Sequence, residues 1–300
     1  MRPSLLPLAS FAVALVSAPL ACQNKSTPTP AASSRPSASA APASPAPSGR
    51  PVRVVDQSPA RGSERHDLVT RRMQFDPLEP GSPGLTIDER LERDVKVLET
   101  NEKSVTKVEL RYGKVTTSVK EGHGPAQETT DPRSGKTYVL TQQLGQLMVL
   151  APDGTEVTGE LAQSITSDHV SLGLPFPLPS LLPDEPLMKG DDFDLSHDAV
   201  LALFPVDADG DFDVTRVTLV FEGEPTPKTL AFAVKTRFWG VHGGRRIELD
   251  LEGSLIARAP GAWPERVSLE GPAKLLAQAG DEPAGARPGR AKIALRSTYR

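Results

Sequence analysis

The sequence predicts a mostly antiparallel α+β domain, with meanders of strands forming a curved sheet or an open barrel and a small helical insert. Three observations predict this class. Apolar and polar residues alternate through the C-terminal third, a similar alternation runs through residues 85–150, and the stretch between them has apolar residues at helical spacing. The connections between strands are short and rich in Gly and Pro, which is typical of strands that pair with their chain neighbours.

The first set of strands lies within residues 85–150. Apolar residues share one parity over 85–97 and over 108–112, with charged residues at the alternate positions. Two shorter apolar runs follow at 138–140 and 147–150, and the Asp153-Gly154 pair after them is a turn signal. We therefore expect four strands with one buried and one solvated face.

The helical insert follows these strands. Leu161, Ile165 and Leu172 lie on one helical stripe, which predicts a helix that stops at Gly173. A second short helix is expected from Asp198 to Phe204, before Pro205.

The C-terminal third predicts an antiparallel meander of five strands. Strict alternation appears within residues 216–221, 230–238, 246–252, 267–275 and 293–299. On the second of these strands, Phe232 and Val234 should face the interior, whereas Ala233 and Lys235 should face water.

The first 21 residues have the features of a secretory signal peptide: Arg2, then an apolar run that is too short to span a bilayer. Cys22, the only cysteine in the chain, follows directly. The segment from Ala18 to Cys22 resembles the lipobox of bacterial lipoproteins, with Pro19 in place of the usual Leu. The alternative is an ordinary signal peptide that is cut elsewhere and leaves a free thiol.

The lipobox resemblance implies that Cys22 becomes the first mature residue and carries acyl chains that anchor the protein to a membrane. Gln23, in the next position, implies the outer membrane, where an Asp would imply retention in the inner membrane. The expected location is thus the outer membrane, with the protein exported to the periplasm or the cell surface.

The chain after Cys22 divides into a tether and a domain. Residues 23–50 contain seven Ser, seven Ala and six Pro, so they have almost nothing to bury and are expected to be disordered. Residues 51–300 are long enough for one sizeable core, and we expect a single β-rich domain there.

Composition argues against several function classes. The net charge of −4 argues against a nucleic-acid partner. The domain has no cysteine for a disulfide or a Cys-ligated zinc, and the sequence has no Gly-x-Ser-x-Gly, His-Glu-x-x-His or phosphate-binding Gly-rich loop. The prediction is therefore a protein that is not an enzyme; a secreted hydrolase is a lesser alternative.

One acidic loop is a candidate calcium site. Asp207, Asp209, Asp211 and Asp213 alternate as in the first half of an EF-hand loop, although the Gly and Glu that complete such a loop are missing. The alternative is an acidic surface turn. The wider acidic stretch, residues 184–213, is either a docking surface for a basic partner or an ordinary solvated face.

A segment at residues 182–193 resembles a strand-leading segment of uncharacterised secreted β-rich bacterial lipoproteins, and it implies no activity. Two functions remain open. One is a non-enzymatic envelope module that acts in structure or through an envelope protein partner. The other is a carrier that binds an apolar ligand such as lipid in the concave face of its sheet. A carrier needs a pocket of roughly several hundred Å³, whereas a module would fill that face with its own side chains.

Overall fold

The computed structural model describes most of the compact unit Ala46–Arg300. The described residues are 51–300 apart from positions 56, 78–79, 103, 144, 170–171, 175–177, 179–181, 183–184, 196–211, 243–244, 260 and 277–285. Cys22, the tether and the expected helix from Asp198 to Phe204 lie outside them.

The described residues form thirteen strands and one helix. In chain order these are β1 (Glu64–Phe75), β2 (Leu85–Thr100), β3 (Val105–Glu121), β4 (Gln127–Thr130), β5 (Thr137–Gln143), β6 (Gln146–Leu150), β7 (Glu156–Val157), α1 (Glu160–Ser167), β8 (Asp192–Leu195), β9 (Phe212–Thr226), β10 (Thr229–His242), β11 (Arg245–Arg258), β12 (Trp263–Leu275) and β13 (Arg287–Tyr299).

All thirteen strands belong to one antiparallel sheet. Its order is β7-β6-β5-β3-β2-β1-β13-β12-β11-β10-β9-β8. The short strand β4 is outside this order and pairs with a different part of β3 from the part that pairs with β5. The five-stranded C-terminal meander is confirmed, because β9 to β13 are neighbours in chain order. The sheet is open, since no pairing among the described strands joins β7 to β8.

The first and last long strands join the two halves of the sheet. β1 pairs with β2 on one side and with β13 on the other, and Val69 is the Cα partner of both Leu91 and Leu295. β1 was not expected from the sequence, because Asp67 and Arg71 interrupt the apolar parity that Val69 and Phe75 follow.

The predicted strand parity is confirmed on β10. Phe232 and Val234 are 0% and 1% exposed, whereas Lys235 is exposed and its Nζ lies 3.1 Å from Glu252 Oε1. Ala233, which was also expected to face water, is half-buried. The alternation places one face of each long strand in the interior and leaves charged pairs on the other.

Two apolar clusters occupy the interior face. The larger cluster packs β1, the start of β2 and β8 to β13 around residues such as Phe221, Phe232 and Leu251. The smaller cluster packs the end of β2, β3, β5, β6 and α1 around Leu110, Leu140 and Ile165. Three residues from the chain between α1 and β8, which we call the covering segment, are buried against the sheet in the larger cluster: Leu178, Leu182 and Leu187.

Gly253 marks a close approach of β11 and β12. A Cβ at Gly253 would collide with the Ser268 carbonyl oxygen, and one at Gly271 would collide with that of Asp250. Only glycine fits at these two positions without a shift of the backbone.

The predicted helix is shorter than its apolar stripe. α1 ends at Ser167, and Leu172 is buried from a turn in which its N–H donates to the His169 carbonyl. Directly after the helix, Asp168 contacts Arg133 and His169 contacts Arg93. The mostly antiparallel β prediction is thus confirmed, while the described helical content is one element of eight residues.

Candidate functional site

Two opposite charges lie at interior positions of adjacent strands. Asp67 on β1 and Arg93 on β2 are Cα partners, and Arg93 Nε donates to Asp67 Oδ2 at 3.1 Å. Their side chains are only 2% and 6% exposed. A β-bulge between β2 and β3 follows Leu91 and places Arg93 opposite Tyr112. Bulges change where a side chain points, and this one lies where the charge enters the interior.

Asp67 has two further partners, an ion-pair partner and a hydrogen-bond donor. Arg65 Nε lies 2.8 Å from Asp67 Oδ1, and the Ser297 hydroxyl on β13 donates to the same oxygen at 2.7 Å. Burial alone would raise the Asp67 pKa, but the guanidinium groups of Arg65 and Arg93 and these hydrogen bonds hold it below its ordinary value. The carboxylate is therefore ionised and joins three neighbouring strands.

Arg93 also reaches the turn after α1. Its Nη1 lies 3.1 Å from His169 Nε2 and 3.6 Å from Asp168 Oδ2. Because a guanidinium can only donate, Nε2 accepts, and the proton of the neutral imidazole is assigned to Nδ1. Burial, together with the positive charges of Arg93, Arg65 and Arg133, lowers the His169 pKa well below its ordinary value, so the ring is neutral near pH 7.

Arg133 connects its own turn, which precedes β5, to the turn after α1. Its Nη1 donates to Asp168 Oδ2 at 3.0 Å, and its Nε and Nη2 each donate to Asp131 at 2.9 Å. The guanidinium carbon lies 5.6 Å from the centre of the Tyr112 ring. Burial and the negative charge of Asp168 raise the pKa of Tyr112 to about 12. The positive charges of Arg93 and Arg133 lower this pKa, but they offset only part of the increase.

We call these six residues, three arginines and three aspartates, the buried charge cluster. Its charges cancel and each member has an oppositely charged partner: Arg65, Asp67, Arg93, Asp131, Arg133 and Asp168. Four of the side chains are at most 6% exposed, whereas those of Arg65 and Asp131, at the margin of the cluster, are 25% and 27% exposed. General acid–base catalysis needs a group that can exchange a proton with a substrate. A neutral, mutually paired cluster is better suited to fixing α1 and its following turn on the sheet.

A small cavity adjoins the cluster. It measures about 90 Å³, and both Arg65 and His169 line it. Four valines on β2 and β3 form much of the remaining wall, together with Leu172, Leu174 and Tyr299. It is smaller than the roughly 300 Å³ or more of a typical drug-sized ligand pocket.

The residues singled out from the sequence do not form this site. Cys22, Asp207, Asp209 and Asp211 lie outside the described residues, and of Asp213 the structure gives the main chain, opposite Trp239 on β10. Within the described part of the chain, no group of three or more His, Cys, Asp or Glu residues could hold a metal ion. The calcium site therefore stays a prediction.

Sequence reasoning missed the buried charge cluster, although a signal for part of it was present. Arg93 falls on the apolar parity of β2 between Leu91 and Val95, and Asp67 falls on that of β1 before Val69. A charge at an interior strand position is costly unless it is paired, so each such residue predicts a partner. Arg133 and Asp168 lie in turns, where the alternation of a strand gives no information about which side chains are buried.

No protein-family model matches the chain, and no curated protein shows a significant sequence match. Among the residues that the structure describes, no helix has both the length and the apolarity needed to span a lipid bilayer.

Proposed function

We propose that this protein is a membrane-anchored, non-enzymatic lipoprotein of the bacterial cell envelope, whose domain of residues 51–300 acts as an interaction or structural module. One observation supports the module most: the interior face of the sheet is filled by side chains of the chain itself. Leu178 and Leu187, from the covering segment, are 0% and 1% exposed against it.

The N-terminal sequence supports the anchor. In this proposal acyl chains on Cys22 hold the protein in the outer membrane, and residues 23–50 extend the domain away from the bilayer surface. Lipid chains contribute about 0.8 kcal/mol for each buried CH₂, so two or more chains give stable attachment. The domain would meet its partners, such as another envelope protein, in the periplasm or at the cell surface.

The architecture we propose for the domain is a curved sheet or open barrel, with α1 and the covering segment on the concave side. Wide sheets curl because neighbouring strands twist relative to each other. The burial of one face along β1, β2 and β9 to β13 agrees with this shape.

The test of the anchor is fractionation of cells that produce the full chain. Cys22→Ser should move the protein from the membrane fraction to the soluble fraction, and metabolic labelling with palmitate should be lost. Gln23→Asp is the matched control, because it keeps the acylated cysteine and should move the protein only to the inner membrane. A Cys22→Ser protein that still pellets with outer membranes after a salt wash would contradict the anchor.

A second candidate is a carrier that binds an apolar ligand such as lipid in the concave face of the sheet, and the apolar residues that line the cavity beside His169 favour it. The cavity itself measures about 90 Å³, so a lipid needs additional space. Under this alternative the covering segment moves to admit lipid. Lipid extraction and mass spectrometry of the native protein separate the two functions. A stoichiometric co-purified lipid would favour the carrier, and its absence would favour the module.

A further inference from the structure

The cavity beside the buried charge cluster is lined by two chemically different sets of residues, which we call its apolar wall and its polar wall. One wall is apolar and consists of Val95, Val97, Val105, Val108, Leu172 and Leu174. The other is polar and includes Arg65, His169, Tyr299, Ser58 and Ser63. Leu174 is 55% exposed, unusual for a large apolar side chain here, so the apolar wall continues to the surface.

The polar wall offers cationic and neutral groups but no free carboxylate. Arg65 can only donate, and it carries a positive charge. Asp67, the carboxylate that pairs with Arg65, does not line the cavity. Glu64 is the acidic residue in the lining, and Lys96 Nζ lies 3.0 Å from its Oε1. The wall is therefore complementary to an oxygen acceptor that carries negative charge.

The volume limits the length of a ligand. A cavity needs about 10–15 Å³ for one water-sized group, so 90 Å³ accommodates about six to nine non-hydrogen atoms. A short fatty acid is therefore accommodated within the cavity, whereas a long chain would extend beyond it.

We propose that this cavity binds a short-chain monocarboxylate, with the carboxylate at Arg65 and the alkyl chain along the valines of β2 and β3. Hexanoate falls within the size limit. The hydrogen bond between the Arg65 guanidinium and the carboxylate of the ligand is charge-assisted and therefore strong. Arg65 is also partly desolvated, with 25% of its side chain exposed. This inference is independent of the membrane anchor and concerns a site too small for a lipid carrier.

The first experiment titrates the purified full chain with three six-carbon probes: hexanoate, hexanol and hexylamine. Heats of binding give affinities, and methyl NMR shifts of the cavity valines and Leu172 locate the site. We expect hexanoate to bind with a Kd of about 1 mM, hexanol about tenfold more weakly, and hexylamine not at all. Equal binding of all three probes, or shifts outside the lining, would overturn the proposal, as would an absence of hexanoate binding at 20-fold that concentration, about 20 mM.

The second experiment fills the cavity. Val97→Phe adds volume beside β3 without removing a charge, and it should weaken hexanoate binding by at least about tenfold. Val55→Phe makes the same change at a position that is 48% exposed and outside the lining, so it should bind like the parent. Circular dichroism checks that both variants fold. If Val97→Phe does not fold, the probe series and the NMR shifts on the parent decide the proposal. Unchanged binding in a folded Val97→Phe would contradict it.

Discussion

Asp67 and Arg93 face each other across the β1–β2 ladder on the interior of the sheet, with Arg93 Nε 3.1 Å from Asp67 Oδ2. Arg237 and Asp250 are Cα partners across β10–β11 in the same antiparallel manner, but on the solvated face, with Arg237 Nε 3.2 Å from Asp250 Oδ2. A cross-strand pair of one Arg and one Asp thus occurs once in the interior and once at the solvated face. We expect this difference in exposure to determine how much each pair contributes to stability.

Arg93→Met should destabilise the domain by about 3–5 kcal/mol, because it leaves Asp67 buried with one partner fewer. Arg237→Met, the matched control, should cost less than about 1 kcal/mol, because its side chain is 67% exposed. Urea midpoints of the two variants check the contrast. Similar midpoints would mean that the charge cluster does not hold the fold together.

Stability should fall with acidification below about pH 6.5, because of His169. Its folded pKa is lowered, so the unfolded chain binds more protons as the pH drops through the ordinary histidine value. The contribution is fully present above that value. Asp67, whose folded pKa is also lowered, adds a second loss only below its ordinary value of about 4.

The measurement is the urea midpoint between about pH 7.5 and pH 4.5, a range that spans the ordinary pKa of histidine. His169→Asn, which keeps an acceptor for Arg93, should flatten the pH dependence. His123→Gln, which changes an exposed histidine in the turn after β3, is the matched control. If the urea midpoint changes with pH equally in the parent and in His169→Asn, groups other than His169 cause the pH dependence.

Phe232→Ala should cost about 3–5 kcal/mol, because Phe232 is 0% exposed and its ring centre lies 5.4 Å from that of Phe221. Lys235→Ala on the same strand should change stability by less than about 0.5 kcal/mol. Equal losses in the two denaturant midpoints would refute the register of β10, because neighbouring residues on a strand point to opposite faces.

Tyr138→Phe should be neutral or stabilising by up to about 1 kcal/mol, because the buried Tyr138 hydroxyl has no hydrogen-bond partner among the described residues. Tyr299→Phe is the comparison. It removes a 2.7 Å hydrogen bond to the Pro264 carbonyl and should cost about 1 kcal/mol. Melting temperatures of the two variants give the signs, and a clear loss in Tyr138→Phe would reveal a partner for that hydroxyl.

Strands whose two faces differ consistently in polarity are predictable from the sequence alone. The alternation around Phe232 and Leu249 fixes which residues are buried, since a strand repeats every two residues and a shift by one would expose the apolar set. Short turns then place β9 to β13 in chain order. The same alternation predicts β2, but it does not predict that Arg93, at an apolar position of that strand, is charged and buried.

How the two halves of the sheet join and where the charges meet could not be predicted from the sequence. β1 pairs with β13 across more than two hundred residues of chain, and local patterns carry no information about so distant a partner. Arg133 and Asp168 lie in turns whose positions depend on the assembled sheet, and α1 ends where Asp168 meets Arg133 rather than at Gly173. The physical reason is that hydrophobic periodicity reports the burial of each element, whereas pairing between buried charges depends on which elements become neighbours.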